Sequence, residues 1–214
     1  DHFLAMDAAG GGASGGGKGQ LEGIPTKEPA FGLPAVWVSE LQKSRSEAMG
    51  YTVVDATSVL ATHLTEIIKR HAHELLTRQE VLNLVETLKL RAPKLVEEVL
   101  NKEALTHADL QKVLQNLLRE RVCIRDLESI LEILGDASRR TKDPDALTEF
   151  VRGGMSRTIC RQYQEEDGRL HVAAVDPKLE EMVRGGALPP RTLARLVDAV
   201  RREMDKLVAA GHHP

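Results

Sequence analysis

The stretch "YTVVDATSVLATHLTEIIKRHAHELLTRQEV", Tyr51 to Val81, changes its periodicity part-way through. Tyr51 to Val54 is rich in the β-branched and aromatic residues that fill short strands. From Thr57 the pattern shifts. Val59, Leu60, His63, Leu64, Ile67, Ile68 and His71 follow the i, i+3, i+4 spacing of a helix with one apolar stripe, two histidines lying on or beside it. Asp55, Thr57 and Ser58 are candidates for its N-cap. Thr77-Arg78-Gln79-Glu80 is a capping-box sequence that opens another helix, with Val81, Leu82, Leu84, Val85 and Leu88 inward and a stop near Pro93. That restart makes residues 72 to 80 a candidate hinge. A strand running into long amphipathic helices predicts an α+β fold, mostly α-helical.

Working outward, Ala35 to Val38 reads as another strand, and Leu41 to Met49 as a helix ended by Gly50. Phe3, Leu4 and Met6 alternate like a strand. With the glycine-rich loop at residues 10 to 19, seven glycines in ten, these pieces make a small α/β subdomain. The loop lacks the G-x-x-x-x-G-K-[ST] ending, and Pro25 stands where a helix should start, so it is not a phosphate loop. Downstream, Thr106 to Asp109 opens a helix carrying Leu110, Val113, Leu114, Leu117 and Leu118. A further helix from Asp126 carries Leu127, Ile130, Leu131 and Leu134. Asp143-Pro144 leads into a helix from Ala146 to Tyr163, weakened at Gly153 and Gly154 by about 1 kcal/mol each. Residues 76 to 163 therefore form a central helical subdomain. After the turn at Glu165 to Gly168, Leu170 to Val175 alternates like a strand, Pro177 to Val183 forms a short helix, and Leu193 to Val208 a final amphipathic one. A lone strand cannot satisfy its ladder, so this C-terminal α/β subdomain is expected to be truncated. The start at Asp1, already in a strand-like pattern, leads to the expectation of a cut into a larger protein.

The formal charge of −3 offers no global attraction for nucleic acid or an anionic membrane. No apolar run approaches the length of a bilayer span, and residues 1 to 20 lack the basic and apolar regions of a signal peptide. Cys123 and Cys160 are far apart with no CxxC, which fits a reducing compartment, and both are expected to be small buried residues.

Two features invite a chemical reading. His71, His73 and Glu74 suggest a metal-dependent enzyme, but on a helix His71 and His73 point about 200° apart. His63 and His71 are roughly 12 Å apart along the axis, too far to share an ion. Without a nucleophile motif, and with acid pairs such as Glu97-Glu98 aimed apart, the expectation is no enzyme, no metal and no cofactor. The second feature is "KEPAFGLPAVWVSE", residues 27 to 40. It concentrates Phe31 and the sole tryptophan, Trp37, in a chain with only six aromatic residues. Pro29 and Pro34 stiffen the backbone around Phe31. Phe31 is then either a core plug or an aromatic held at a binding cleft.

Three blocks, "KEPAFGLPAVWV" (Lys27 to Val38), "GYTVVDATSVLATHLTEIIKRHAHELLTRQEV" (Gly50 to Val81) and "LQKVLQNLLRERVCIRDLESILEIL" (Leu110 to Leu134), together resemble the cytoplasmic region of the FlhA family. These are the export-gate proteins of the flagellar type III secretion apparatus, and "FLAMD" before the glycine loop is similar too. The resemblance implies four subdomains. Residues 1–6 with 56–75 would be parts of the first, 7–55 the second, 76–155 the helical third and 156–214 the start of the fourth. It implies a cytoplasmic face of the bacterial inner membrane, a ring of nine copies, and contacts with other export components including the ATPase complex. It further implies docking of export chaperones carrying late substrates in a hydrophobic dimple, at positions matching Glu28, Phe31 and Thr62, with Trp37 packed in the core. Glu28 stands where the family often has Asp. The homologous gate of a virulence injectisome is the alternative, although "EPAFGLPA" and "THLTEIIKRHAHELL" look more like the flagellar branch.

Overall fold

The computed structural model describes residues 2–6, 21–101, 103–186 and 189–210. The glycine-rich loop at residues 10 to 19 lies outside them. The chain divides into two compact units, residues 1–148 and 149–214.

In the first unit, strands β1 (His2–Met6), β2 (Ile24–Lys27), β3 (Pro34–Ser39) and β4 (Thr52–Asp55) form one antiparallel sheet in the order β2-β3-β1-β4. β1 pairs Leu4 with Trp37 on one side and Val54 on the other, so it lies inside the sheet. His2–Met6 thus shares one sheet with strands drawn from residues 24–55. β2 went unread in the sequence because Pro25 sits in it. Proline cannot donate to a ladder and is confined to edge strands, and β2 is an edge.

Helices cover both faces of the sheet. α1 (Lys43–Ala48), entered through a 3₁₀ turn at Glu40–Gln42, packs on β1 and β4, with the Lys43 ammonium 4.9 Å from the centre of the Phe3 ring. On the other face α2 (Ala56–Leu75) lays Val59 against Leu4 and Ala35, and Met6, Trp37 and Val54 close around them. Asp55 caps α2, its carboxylate accepting from Ser58 N–H (2.9 Å) and Ser58 O–H (2.6 Å). Those two bonds hold the Asp55 carboxyl below its ordinary value.

The rest of the unit is helical: α3 (Arg78–Lys89), α4 (Pro93–Val99), α5 (His107–Arg119), α6 (Leu127–Ala137) and the start of α7 (Pro144–Gly154). Leu110, Val113, Leu114 and Leu117 of α5 and Leu127, Ile130, Leu131 and Leu134 of α6 share one face of each helix, and all are buried. Inward positions on α3 are Val81, Val85 and Leu88, whereas Leu84 is exposed. α3 ends at Lys89, ahead of Pro93 as expected, and Pro93 also opens α4 at its N1 position, where a missing N–H costs nothing. Gly135 lets α6 approach α4, since a Cβ there would lie 2.9 Å from Val99 Cγ2.

The candidate hinge at residues 72 to 80 is strapped from the side. Leu76 is buried, and its carbonyl accepts from Gln111 Nε2 (3.0 Å) and Gln115 Nε2 (3.1 Å) of α5. Further along α2, Glu66 pairs with Lys69 (2.9 Å) and with Arg121 just beyond α5 (3.8 Å). The Lys69 bond, ahead of the charges of Lys69 and Arg121, holds the Glu66 carboxyl below its ordinary value. A carboxylate shifted this way contributes stability above its unfolded-state pKa and loses it as the pH falls through the folded one. α3 restarts from Thr77, whose Oγ1 accepts from Glu80 N–H at 3.2 Å. Both halves of a capping box close at Thr106 and Asp109, ahead of α5. Thr77→Ala should lower the unfolding free energy by about 1 kcal/mol in urea titration followed by circular dichroism. A change below a few tenths would mean that the Gln111 and Gln115 straps hold the junction without the cap.

Among the described residues of the second unit the regular elements after α7 are all helices: α8 (Ser156–Gln162), α9 (Pro177–Arg184) and α10 (Pro190–Ala209). Three sequence expectations are corrected at this level. The helix expected from Ala146 to Tyr163 is interrupted at Met155 (φ −90°, ψ 10°), just after the two glycines. Leu170 to Val175 is not a strand; Val172 and Val175 are exposed, and alternation without a partner strand cannot satisfy a ladder. Cys123 and Cys160 are both exposed. In the extended segment after α5, Val122 turns inward and its neighbour Cys123 outward, while α8 has no buried residue at all.

Candidate functional site

The turn between β2 and β3, residues 28 to 33, is built inside out, with an acid inward and an aromatic outward. The ladder ends at the pair Lys27 and Pro34, and Glu28 N–H extends it by donating to the Leu33 carbonyl (2.8 Å). The Glu28 carbonyl accepts from Gly32 N–H (2.8 Å), a closure that needs the positive φ of 73° at Gly32. The Glu28 side chain folds back under the turn. Its Oε1 accepts from Ala30 N–H (2.8 Å) and its Oε2 from Phe31 N–H (2.6 Å). Glu28 is 4% exposed and Ala30 is buried, whereas Phe31 stands 64% exposed, with Leu33 also exposed beside it.

This geometry bears on one of the two readings of Phe31. The ring is not a core plug; Trp37 takes the inward aromatic place, half-buried against Leu4, Ala35 and Val59. Exposing a phenylalanine on a turn held by four hydrogen bonds creates a rigid apolar contact surface with little ordering left to lose on binding. Thr62 is exposed on α2, about 60° around the helix from the inward-facing Val59. Glu28 and Phe31 are therefore brought together by one turn, and Thr62 sits on another element of the same unit.

Two exposed apolar features of this unit were not legible in the sequence. Leu33 gives no local signal, since an apolar residue between Gly32 and Pro34 reads equally well as buried. The stripe on α2 was legible as a stripe, but Leu60, Leu64, Ile67 and Ile68 are all exposed, and Val59 is the buried residue of that helix. Periodicity reports which residues share a face and not whether the face is covered.

His71 and His73 both approach Glu74, His71 exposed and His73 half-buried. His71 Nδ1 lies 2.9 Å from Glu74 Oε1, and His73 Nε2 is 3.7 Å from the same oxygen. Contact with His71, first by the hydrogen bond, holds the Glu74 carboxyl below its ordinary value. Among the described residues no three His, Cys, Asp or Glu side chains come together as a metal site, and no helix is long and apolar enough to cross a membrane.

Comparison with known proteins gives a consistent picture. The model of the FHIPEP family matches residues 1–214. The flagellar biosynthesis protein FlhA of Bacillus subtilis (strain 168) is 41% identical over 217 residues, covering 97% of this chain and 31% of the relative. Its counterpart in Escherichia coli (strain K12) is 40% identical over 194 residues, covering 86% and 28%. The chain thus spans less than a third of the curated relatives it matches. Among solved structures, the complex of Chlamydia pneumoniae CdsV and CdsO superimposes with a TM-score of 0.72 at 29% identity, covering 94% of this chain and 59% of that one.

Proposed function

We propose, from the premise that this chain belongs to the FHIPEP family, that it is part of the cytoplasmic region of a type III export gate of the flagellar kind. In that place, at the cytoplasmic face of the inner membrane and as one copy in a ring, it acts as a non-catalytic docking platform. Its cargo is export chaperones carrying late flagellar substrates. The observation that carries the docking reading is Phe31, a large aromatic held out into solvent on a braced turn. Large exposed apolar groups on rigid supports mark interaction sites, and an amphipathic helix laid against such a group is a recurrent recognition mode. Thr62 on α2 supplies the second wall of the same site. The CdsV chain is found in complex with CdsO, which supports contacts of this chain with further components of an export apparatus; contact with the ATPase complex is part of the same proposal.

Identity favours the flagellar system over an injectisome: the flagellar relatives share 41% and 40% of residues, against 29% for the CdsV chain.

The test is calorimetric titration of a flagellar chaperone–substrate complex into the wild-type chain and into Phe31→Ala, with circular dichroism confirming that both are folded. A central aromatic anchor is worth about 2 kcal/mol, so the alanine variant should bind at least about tenfold more weakly. Equal affinity in a folded variant would remove Phe31 from the site.

A further inference from the structure

We infer that Glu28 is a positioning residue for Phe31 and not a contact for the docking partner; this rests on the docking reading above. The resemblance places an acidic residue here among the docking positions, and a surface carboxylate would be expected to meet a partner's cation. This carboxylate is not at the surface. Glu28 is 4% exposed, and both oxygens are engaged by N–H groups of its own turn, Ala30 at 2.8 Å and Phe31 at 2.6 Å.

Two N–H donors converging on one side chain require a group that only accepts, and an ionised carboxylate is the side chain with two such oxygens. An amide of the same shape keeps one acceptor and turns its NH₂ toward the other N–H, donor against donor. The bond to Phe31 N–H, at 2.6 Å, acts on the residue whose ring is presented. Together with the bonds from Glu28 N–H to Leu33 O and from Gly32 N–H to Glu28 O, it ties both strands of the turn to a single residue. The acid at this position therefore sets where the Phe31 ring stands before any partner arrives.

Two measurements on Glu28→Gln separate positioning from contact. The first needs no partner: amide hydrogen exchange of Ala30 and Phe31 in the free chain, resolved by NMR. Positioning predicts that both amides exchange about tenfold faster or more, because a shielded, charge-bound N–H has become an unpaired one. Unchanged protection overturns the inference, whatever the fate of docking. The second is the affinity for the same chaperone–substrate complex at low and high salt. Positioning predicts an affinity about tenfold lower with the salt dependence of the wild type, since no intermolecular charge pair has been lost. A flattened salt dependence with intact amide protection would identify Glu28 as a contact after all. Should Glu28→Gln fail to fold, Glu28→Asp carries the test. It keeps an acceptor-only carboxylate, and aspartate readily accepts from the N–H groups two and three residues on, so positioning predicts near-wild-type protection and affinity, whereas a loss of affinity of about tenfold with both amides still protected would refute it. If Phe31→Ala binds normally, the docking reading fails while the exchange result still decides the role of Glu28 in the turn.

Discussion

Leu114→Ala is expected to lower the unfolding free energy of the first unit by about 2 to 5 kcal/mol, a large share of the 5–15 kcal/mol by which domains are usually stable. Leu114 is completely buried on α5, the helix that packs against both α2 and α3 and whose Leu110, Val113 and Leu117 are equally inaccessible. Truncating it removes the transfer energy of the lost carbons and leaves a cavity, because neighbours held on three helices relax only in part. The measurement is urea denaturation followed by helical circular dichroism and by Trp37 emission, which reports the sheet side of the same unit. Both midpoints should fall together if sheet and helices unfold as one, with α2 as the shared element. A loss below 1 kcal/mol would show that α5 is not the centre of this core. Separate midpoints would show that the ties from Gln111, Gln115 and Arg121 to α2 do not couple the two parts.

The second large effect is expected at Gly23, just before β2. A Cβ there would lie 2.3 Å from the Trp37 carbonyl oxygen and 2.7 Å from Val36 Cγ1, distances that real Cβ atoms do not show. The nearer atom belongs to the backbone of β3, inside the sheet, and cannot swing away as a side chain could. Gly23→Val must therefore pull the start of β2 off β3, breaking the pairing of Ile24 with Trp37 and releasing the strand that leads into the Phe31 turn. The expected loss is about 1 to 3 kcal/mol of stability, the range for overpacked sites. Docking should fall by more than Phe31→Ala alone causes, since the whole turn loses its base. Red-shifted Trp37 emission would report the opened pair. A variant with wild-type emission and wild-type affinity would mean that β2 is not needed to present Phe31.

How much of this was legible from the residues can be followed element by element. β1, β3, β4, α2, α3, α5 and α6 follow from the spacing of apolar residues, because burial of one face dictates a period of 2 or 3.6. Their starts follow from Asp55, Thr77, Thr106 and Asp126, each of which accepts from an N–H of the first turn it precedes. Pro25 hid an edge strand, which is permitted because the missing N–H faces no partner there. Pro93 does mark the end of α3, but nothing in the spacing showed that it also opens α4. Leu170 to Val175 erred the other way, alternating without a strand beside it.

Sequence alone determined the α+β class, the helix caps, and the stiffened segment that singles out Phe31, since all of these depend on interactions between residues a few places apart. Tertiary structure decided what is inside and what is outside. A glutamate 4% exposed beneath a phenylalanine 64% exposed reverses the usual ranking of polar and apolar burial. It is possible because the turn supplies two backbone N–H groups to the carboxylate, so that the buried charge is satisfied. The stripe on α2 makes the same point. Its spacing was readable, but whether Leu60, Leu64, Ile67 and Ile68 meet a neighbour depends on what packs beside the helix, which no local pattern encodes.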